Sequence, residues 1–470
     1  MKFLNKTYLY ILLVLVSSCH DELDQNPITS KVANNSFATE SDIENAVNGV
    51  YAALQNDGLY GLYIPAIGEI SSDNTFDEVP TNDGGIYGEL DEFSVIPANN
   101  LIGDIWRQSY VAIQRANVVI NRIDNIAYAS ENLKSARIGE MKFIRAVLYF
   151  NMVRLFGDVP LVIQETSNPS EYIGQGRTSA DAVYNQIETD LTEAINVLPI
   201  KSNVDATGKV SKGAAQALLG KVLLTLQRYD EAKTQLLAVA NSSEYSLVPN
   251  VADIFGETNE NNSETIFAVH FTSGLDGSSQ GSKAFSQFSP SGTVSNSKGH
   301  NLPTVTLYNL FDANDLRKGT YLDITGSGIP FTTKLSPNNT NSDDGGSDWV
   351  ILRYSDVVLM LAEVENELGN TITEAIPLLN SIRTRAGLPV TNATTQTDVR
   401  NAIALERRFE LIGEGHRWFD LLRTNTAIET MNTWFSNNGL SLSIDQNDLL
   451  MPVPQSQIDT DPAIVQNPGY

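Results

Sequence analysis

Apolar residues recur along most of the chain with the spacing of one face of an α-helix. Near the start, Val47, Val50, Tyr51 and Leu54 stand at i, i+3, i+4 and i+7, which is the period of an amphipathic helix. The pattern therefore predicts a mainly α-helical protein. Later segments with the same period are expected to form helical pairs: 105–126 with 133–156, both halves of 211–240, 355–369 with 373–386, and 399–411 with 416–422.

The pair within residues 211–240 indicates how the helices pack. A tetratricopeptide unit places a Gly or Ala where its two helices cross, which lets them approach closely. The residues that match its small and large positions are Leu219, Gly220, Leu223, Ala232, Leu236 and Val239. Because the loops between pairs differ in length, we expect a divergent, tetratricopeptide-like helical repeat superhelix with long loop-rich insertions and a few short strands.

Two long segments interrupt the helical pattern. Residues 57–103 and 257–350 are rich in Gly, Ser, Asn, Asp and Pro and have few long apolar periods. Such segments form loops and short strands on a scaffold, and binding residues concentrate there. We therefore expect one domain at 41–470, with these two segments as its ligand side and a helical scaffold at 41–256 and 351–424.

The N-terminus has the features of a bacterial lipoprotein signal. A basic start precedes an apolar run at 8–16, which is shorter than the roughly 20 residues that span a bilayer. Small residues follow this run and lead to Cys19, the only cysteine of the chain. We expect residues 1–18 to be removed, Cys19 to be lipidated, and 19–40 to act as a tether. A plain secretory signal with a chance cysteine is the alternative.

The composition narrows the range of functions. The chain is 41% hydrophobic and 19% charged, which is typical of a globular protein rather than a disordered one. Its 31 Lys and Arg against 56 Asp and Glu give a net charge of −25, so it repels phosphate backbones and we expect no nucleic-acid partner. A single cysteine forms no intramolecular disulfide, and the four histidines lack any ligand spacing. We therefore predict no metal and no cofactor.

Catalytic motifs are missing from the sequence. Gly326-Ser327-Gly328 lacks the third glycine of a dinucleotide fingerprint, and neither a P-loop nor a nucleophile elbow occurs. The acidic segment 343–348 does not follow the EF-hand pattern, so we expect a solvated turn there. The sequence therefore favours a protein without enzymatic activity.

A charged run at 406–423 has two interpretations. Arg407 and Arg417 could form an anion site. Alternatively, ion pairs at i+3 and i+4 could lace a helical hairpin whose Trp418 and Phe419 lie in the core. We favour the second interpretation.

In combination, these features resemble the SusD/RagB family of nutrient-binding outer-membrane lipoproteins, and the resemblance runs nearly end to end. It starts at the lipoprotein cysteine and continues through the helical pairs in the family's order. The motifs that carry it include Ile105-Trp106-Arg107, Phe143-Ile144-Arg145-Ala146, Leu155-Phe156-Gly157-Asp158, Arg353-Tyr354-Ser355-Asp356, Glu406-Arg407-Arg408, Glu414-Gly415-His416-Arg417-Trp418-Phe419-Asp420 and Gln466-Asn467-Pro468-Gly469-Tyr470.

The resemblance implies a surface-exposed lipoprotein, anchored in outer-membrane lipid through acylated Cys19. Members of the family act as the lid of a SusC-like, TonB-dependent transporter, to which they deliver oligosaccharides or, in some branches, peptides. They are not enzymes. The acidic residues after Cys19 resemble the family's signal for display on the outer face: Asp21, Glu22 and Asp24.

The resemblance also places the ligand loop after the first helix, at about 71–93. Sugar rings stack on aromatic faces, and planar polar side chains bind their hydroxyls. The ligand-binding residues that we predict are Asp73, Asn74, Phe76, Tyr87, Trp349 and Trp434. We expect Trp106 and Trp418 in the core or an interface, and Tyr60 and Tyr63 in the core below the loop.

Other functions remain open from the sequence. The scarcity of loop tryptophans argues against a platform for long, flat polysaccharides and leaves a small oligosaccharide or a peptide. A surface lipoprotein hydrolase and a purely structural assembly protein are the alternatives from other classes.

Overall fold

Helices that pack side by side make up most of the computed structural model, which describes residues 37–274, 281–337 and 340–470. The expected mainly helical, tetratricopeptide-like fold is confirmed. No helix in these ranges combines the length and the apolarity of a membrane span. Cys19 and the predicted signal peptide lie outside the described residues.

The first part of the chain supplies the larger helices. They are α1 (Glu40–Ala53), α2 (Tyr63–Ile70), α3 (Gly88–Asp91), α4 (Asn100–Arg122), α5 (Glu131–Phe156), α6 (Ala180–Val197), α7 (Lys212–Thr225) and α8 (Tyr229–Ala240).

Shorter helices and strands alternate in the second part. The helices are α9 (Ala284–Gln287), α10 (Val305–Leu310), α11 (Tyr354–Glu367), α12 (Ile376–Arg385), α13 (Gln396–Glu410), α14 (Arg417–Arg423), α15 (Ala427–Asn437) and α16 (Gln455–Thr460). The strands, including one from the first part, are β1 (Thr75–Phe76), β2 (Thr265–Val269), β3 (Leu302–Pro303), β4 (Leu322–Ile324), β5 (Pro330–Thr332) and β6 (Trp349–Arg353).

The strands pair in twos, and every described pair is antiparallel. β1 pairs with β3, β2 with β6, and β4 with β5. The first two pairs join segments that are far apart in the sequence, and β1 with β3 joins the two loop-rich regions to each other.

Helix α5 lies at the centre of the scaffold. Almost all of its side chains from Gly139 to Phe156 are buried, because α4, α6 and α7 pack around it. A helix that is apolar on all sides is stable only when neighbouring elements cover it.

Gly220 explains the close packing of α7 on α8. A Cβ atom at this position would lie 2.7 Å from Leu236 Cδ2, closer than carbon atoms approach, so the Leu236 side chain or one of the helices would have to move. Gly220 therefore allows the close helix contact for which a tetratricopeptide unit needs a small residue.

Part of the segment expected to be loop is helical. Residues 57–103 contain α2, whose Gly68 packs on the backbone of Gly415, where an added Cβ would lie 2.2 Å from the Gly415 carbonyl oxygen. By their local propensities, Gly68 and Pro65 favour a loop rather than a helix. The helix forms because its residues from Ile64 to Ile70 are all covered by the rest of the protein.

A network of buried ion pairs joins β6, α12 and α13. Arg353 is 2% exposed. It donates hydrogen bonds to Glu264 at 2.8 Å, to Glu410 at 2.7 Å and to Glu414 at 2.7 and 2.8 Å. Arg385 binds Glu264 at 2.7 Å and also contacts Glu410. Buried charges are tolerated only when they are paired in this way.

The partners of the charged run at 406–423 agree in part with the expectation. Arg423 binds Asp420 at i,i+3, 2.8 Å away, and Arg407 binds Asp420 across the hairpin at 3.0 Å. In addition, Arg407 binds Asp356 at 2.8 Å and Arg417 binds Asp73 at 2.8 Å, so these two arginines have partners on other elements. Both guanidinium groups are engaged by carboxylates, which argues against an anion site. Two aromatic residues of the run are buried as expected: Trp418 and Phe419.

We predict that Arg353→Ala lowers the free energy of unfolding by about 3–5 kcal/mol, because it removes one charged partner from each of three buried carboxylates, Glu264, Glu410 and Glu414. Urea unfolding followed by circular dichroism measures this loss. Arg107→Ala is the matched control, since Arg107 pairs with Asp104 at the surface and such pairs contribute less than about 1 kcal/mol. Equal losses in the two variants would contradict the structural importance of the network.

Candidate ligand-binding surface

Three loop segments form one continuous surface: residues 71–93, 281–304 and 340–348. Together with Asp57 and Tyr63, which lie beside them, we name it the loop surface. The β1–β3 pair joins the first two, with Phe76 opposite Leu302. Ser282 and Gly345 exchange backbone hydrogen bonds of 2.8 Å and join the third segment to the second. Segments more than 200 residues apart are therefore held in one place by backbone pairing.

Three rings are stacked at the base of the loop surface. The Tyr87 ring lies on His300, with centroids 3.8 Å apart and planes inclined by 17°. Tyr63, the first residue of α2, meets the edge of Tyr87 at 6.0 Å. Tyr87 and His300 are buried, whereas Tyr63 is half-buried and keeps part of its ring accessible.

Carboxylates fix His300 from both sides. Its Nδ1 lies 2.8 Å from Asp77 and its Nε2 lies 2.9 Å from Asp83. Burial favours a higher pKa for Asp83, but hydrogen bonds from His300 and Lys298 outweigh it and lower that pKa. Asp83 therefore stays ionised at neutral pH.

Two exposed ion pairs lie near the half-buried Tyr63. Lys283 binds Asp57 at 2.7 Å and Lys298 binds Asp83 at 3.0 Å. Burial, followed by the charges of nearby carboxylates that include Asp57 and Asp83, raises the pKa of Tyr63 to about 12. The tyrosine hydroxyl therefore remains protonated and can donate a hydrogen bond.

Asp73 and Asn74 belong to the first segment of the loop surface but are buried beneath its exposed residues. Asp73 is 5% exposed and its carboxylate binds Arg417 at 2.8 Å and Arg408 at 3.0 Å. Asn74 is 1% exposed; it donates to Glu69 at 3.0 Å and accepts from Arg408 at 2.6 Å. Both side chains are therefore engaged by partners within the protein, whereas the sequence analysis predicted that they bind ligand.

Of the aromatic residues predicted to bind ligand, Phe76 is half-buried within the loop surface, and Tyr87 is covered by its neighbours. Trp349 is buried in β6 against the edge of Phe288. Trp434 lies on α15 beside Phe435 and is half-buried. Both tryptophans belong to elements that pack on the core, Trp349 to the start of β6 and Trp434 to α15.

Sequence reasoning missed Tyr63, Asp83, Lys298 and His300 as parts of this surface. Tyr63 had been assigned to the core, which is confirmed only for its neighbour Tyr60, 4% exposed. The other three had no signal in the sequence, because their roles depend on contacts such as that between Asp83 and His300.

Glu69 connects the base of the loop surface to the helical scaffold. It is fully buried, and its carboxylate accepts hydrogen bonds of 3.1 Å from the backbone of Gly415 and His416. Burial raises the pKa of Glu69 to about 7, although hydrogen bonds from Asn74 and from these two amides act against the increase.

Comparisons with known proteins bear on the whole chain. A family model described as "SusD family" matches residues 327–470. A second model, described as "Starch-binding associating with outer membrane", matches residues 21–224.

Similar proteins align over nearly the full length. A SusD-like protein of Formosa agariphila is 27% identical over 542 aligned residues, which cover all of both chains. A SusD-like protein of Bacteroides ovatus is 25% identical and covers 90% of this chain and 81% of its own length.

Solved structures share the fold. A laminarin-binding SusD-like protein superposes with a TM-score of 0.79 at 28% identity, over 92% of this chain and all of its own. The surface glycan-binding protein A of Bacteroides uniformis superposes with a TM-score of 0.80 at 23% identity, over 91% of this chain and 99% of its own.

We predict that Glu69 makes the protein less stable as pH rises. A carboxyl whose folded pKa is raised stabilises the fold below its unfolded pKa, near 4.5, and this contribution is lost as pH rises through about 7. The loss amounts to about 3 kcal/mol for a shift of this size. Glu69→Gln keeps a carbonyl oxygen for the two amides and removes the titration.

Urea unfolding of both proteins at pH 5 and pH 8 measures the effect. The native chain should lose more stability between these pH values than Glu69→Gln does. The same pH dependence in both proteins would show that Glu69 is ionised without penalty.

Proposed function

Because the chain belongs to the SusD/RagB family, we propose that it is a cell-surface, glycan-binding lipoprotein that captures an oligosaccharide at the loop surface. In this proposal it delivers the glycan to a SusC-like TonB-dependent transporter in the outer membrane and acts as the lid of that transporter. It acts by binding, without cleaving its ligand.

The accessible ring of Tyr63 near two exposed ion pairs carries the proposal for the ligand site. The tyrosine offers an apolar face to a sugar ring and a hydroxyl to a sugar oxygen. The pairs Lys283–Asp57 and Lys298–Asp83 offer donors and acceptors in fixed positions. Phe76 extends the apolar part of the same surface.

The charges of this surface favour a glycan over a peptide. Each exposed lysine named here is neutralised by a carboxylate within 3.0 Å, so the surface offers hydrogen bonds without a strong net field. A neutral polyol matches such a surface. The name of the laminarin-binding relative supports the same ligand class.

A short oligosaccharide fits better than a long, flat polysaccharide. None of the four tryptophans, all of which lie in the described ranges, is exposed: Trp106, Trp349 and Trp418 are buried and Trp434 is half-buried. A wide aromatic platform is therefore absent from this part of the chain, and the ligand is held chiefly at Tyr63.

In this proposal, Cys19 is the membrane anchor. Acylation of this residue would hold the protein in the outer membrane, and the residues that follow would connect it to α1. The description of the family model that matches residues 21–224 supports association with the outer membrane.

We predict that Tyr63→Ala weakens oligosaccharide binding about tenfold or more, since it removes the stacking face, and a factor of ten corresponds to ~1.4 kcal/mol. Calorimetric titration of a version that starts at His20 measures this against panels of neutral oligosaccharides and mixed peptides. Tyr172→Ala, a half-buried tyrosine outside the loop surface, is the matched control and should bind as the native chain does.

Binding of peptides alone would favour the peptide-carrying alternative. Oligosaccharide binding that is unaffected by Tyr63→Ala would move the site away from the loop surface. Chromatography of the glycan after incubation tests the non-enzymatic part of the proposal, and cleaved product would contradict it.

A further inference from the structure

Three side chains that the proposed glycan site does not use converge beside the β2–β6 pair. We propose that Glu260, His270 and Asp348 bind one divalent transition-metal ion of the Zn²⁺ type. This inference is independent of glycan binding, because it depends only on contacts within this cluster.

The antiparallel register brings two of the three residues together. Val269, the last residue of β2, is paired with Trp349, the first residue of β6. The next residue on one strand, His270, therefore faces the preceding residue on the other, Asp348. Glu260 joins them from the loop before β2, where its carboxylate accepts a 3.1 Å hydrogen bond from the Asp348 amide.

The distances suit a single ion. One ligand atom from each of the three residues lies within 4.8 Å of the other two. His270 Nδ1 and Asp348 Oδ2 are only 2.5 Å apart. Zinc–ligand bonds of 2.0–2.2 Å place ligand atoms about 3–3.5 Å from one another, so small side-chain rotations are sufficient to accommodate the ion.

The second carboxylate oxygen of Asp348 points into the cluster. The Asp348 side chain is 5% exposed. Its Oδ1 accepts a 3.0 Å hydrogen bond from the Phe271 amide, which fixes the carboxylate. Its Oδ2 is buried and faces Nδ1 of His270. In metal sites, a ligating carboxylate is typically fixed by a hydrogen bond to one oxygen while its other oxygen faces the ion.

The orientation of the His270 ring indicates that Nδ1 is the atom that would bind the ion. On its other side the ring lies against Gly208, where an added Cβ would be 2.2 Å from Nε2. Gly208 has φ +85°, so its backbone also favours glycine. Nε2 is thereby closed off from solvent, and Nδ1 faces the carboxylates.

The ligand set favours zinc over calcium or magnesium. An imidazole nitrogen suits Zn²⁺, and three protein ligands with one water complete its usual four-coordinate site. Calcium takes six to eight oxygen ligands and magnesium requires an octahedral oxygen shell. Two carboxylates also balance the charge of the ion.

Sequence spacing gave no indication of this site, because the ligands come from two strand ends and a loop. A bound ion would connect the loop that contains Glu260 to the ends of β2 and β6. It would also fix Asp348, the last residue of the third segment of the loop surface.

The test is calorimetric titration of the EDTA-treated chain, without an affinity tag, with ZnCl₂, CaCl₂ and MgCl₂. We expect Zn²⁺ to bind one to one, and His270→Ala and Asp348→Asn to weaken it at least tenfold. Asp343→Asn, a change in the same acidic segment but outside the cluster, should bind Zn²⁺ as the native chain does. Visible absorption of bound Co²⁺ reports whether a tetrahedral site forms.

A second pair of variants covers the case in which a ligand variant fails to fold. Gly208→Ala should displace the imidazole and weaken Zn²⁺ binding. Gly174→Ala is its matched control, since Gly174 also has positive φ, +90°, but no neighbouring atom within 4 Å of an added Cβ; its affinity should remain native. Absence of Zn²⁺ binding, binding equally tight in all variants, or binding of Ca²⁺ in preference to Zn²⁺ would each overturn the proposal.

Discussion

Arg353 and Arg385 carry two positive charges into the interior, and the arrangement of the scaffold follows from the need to pair them. Their shared partners, Glu264 and Glu410, lie before β2 and at the end of α13. An unpaired charge at this depth would cost several kcal/mol. Strand β6, helices α12 and α13 and the segment before β2 must therefore meet in one arrangement.

The same principle extends from the scaffold to the loop surface. Asp73 is held by Arg408 of α13 and Arg417 of α14, so the segment after α2 has a fixed position on the helices. Backbone pairing of β1 with β3 then adds the second loop segment. Tyr63 is presented at the edge of this assembly with its polar neighbours already in place, which reduces the entropy lost when a ligand binds.

The sequence predicted the structure where it depends on the local period of apolar residues. It did not predict the structure where it depends on contacts between residues far apart in the chain. The helical pairs were predicted because apolar residues repeat on one face, and Gly220 was recognised because tetratricopeptide units need a small residue there. Helix α2 was missed because its stability comes from surrounding packing. Asp73 was assigned to the ligand and Tyr63 to the core, since neither the arginines that bind Asp73 nor the carboxylates around Tyr63 are recognisable from spacing.

Hydrogen–deuterium exchange of the native chain, with and without a saturating oligosaccharide, tests the central claim that the loop surface binds glycan. We predict that the ligand slows amide exchange in residues 57–63, 76–87 and 281–304 and leaves α6 to α8 unchanged. Slowed exchange confined to the helical scaffold, with no change in the loop surface, would contradict the claim.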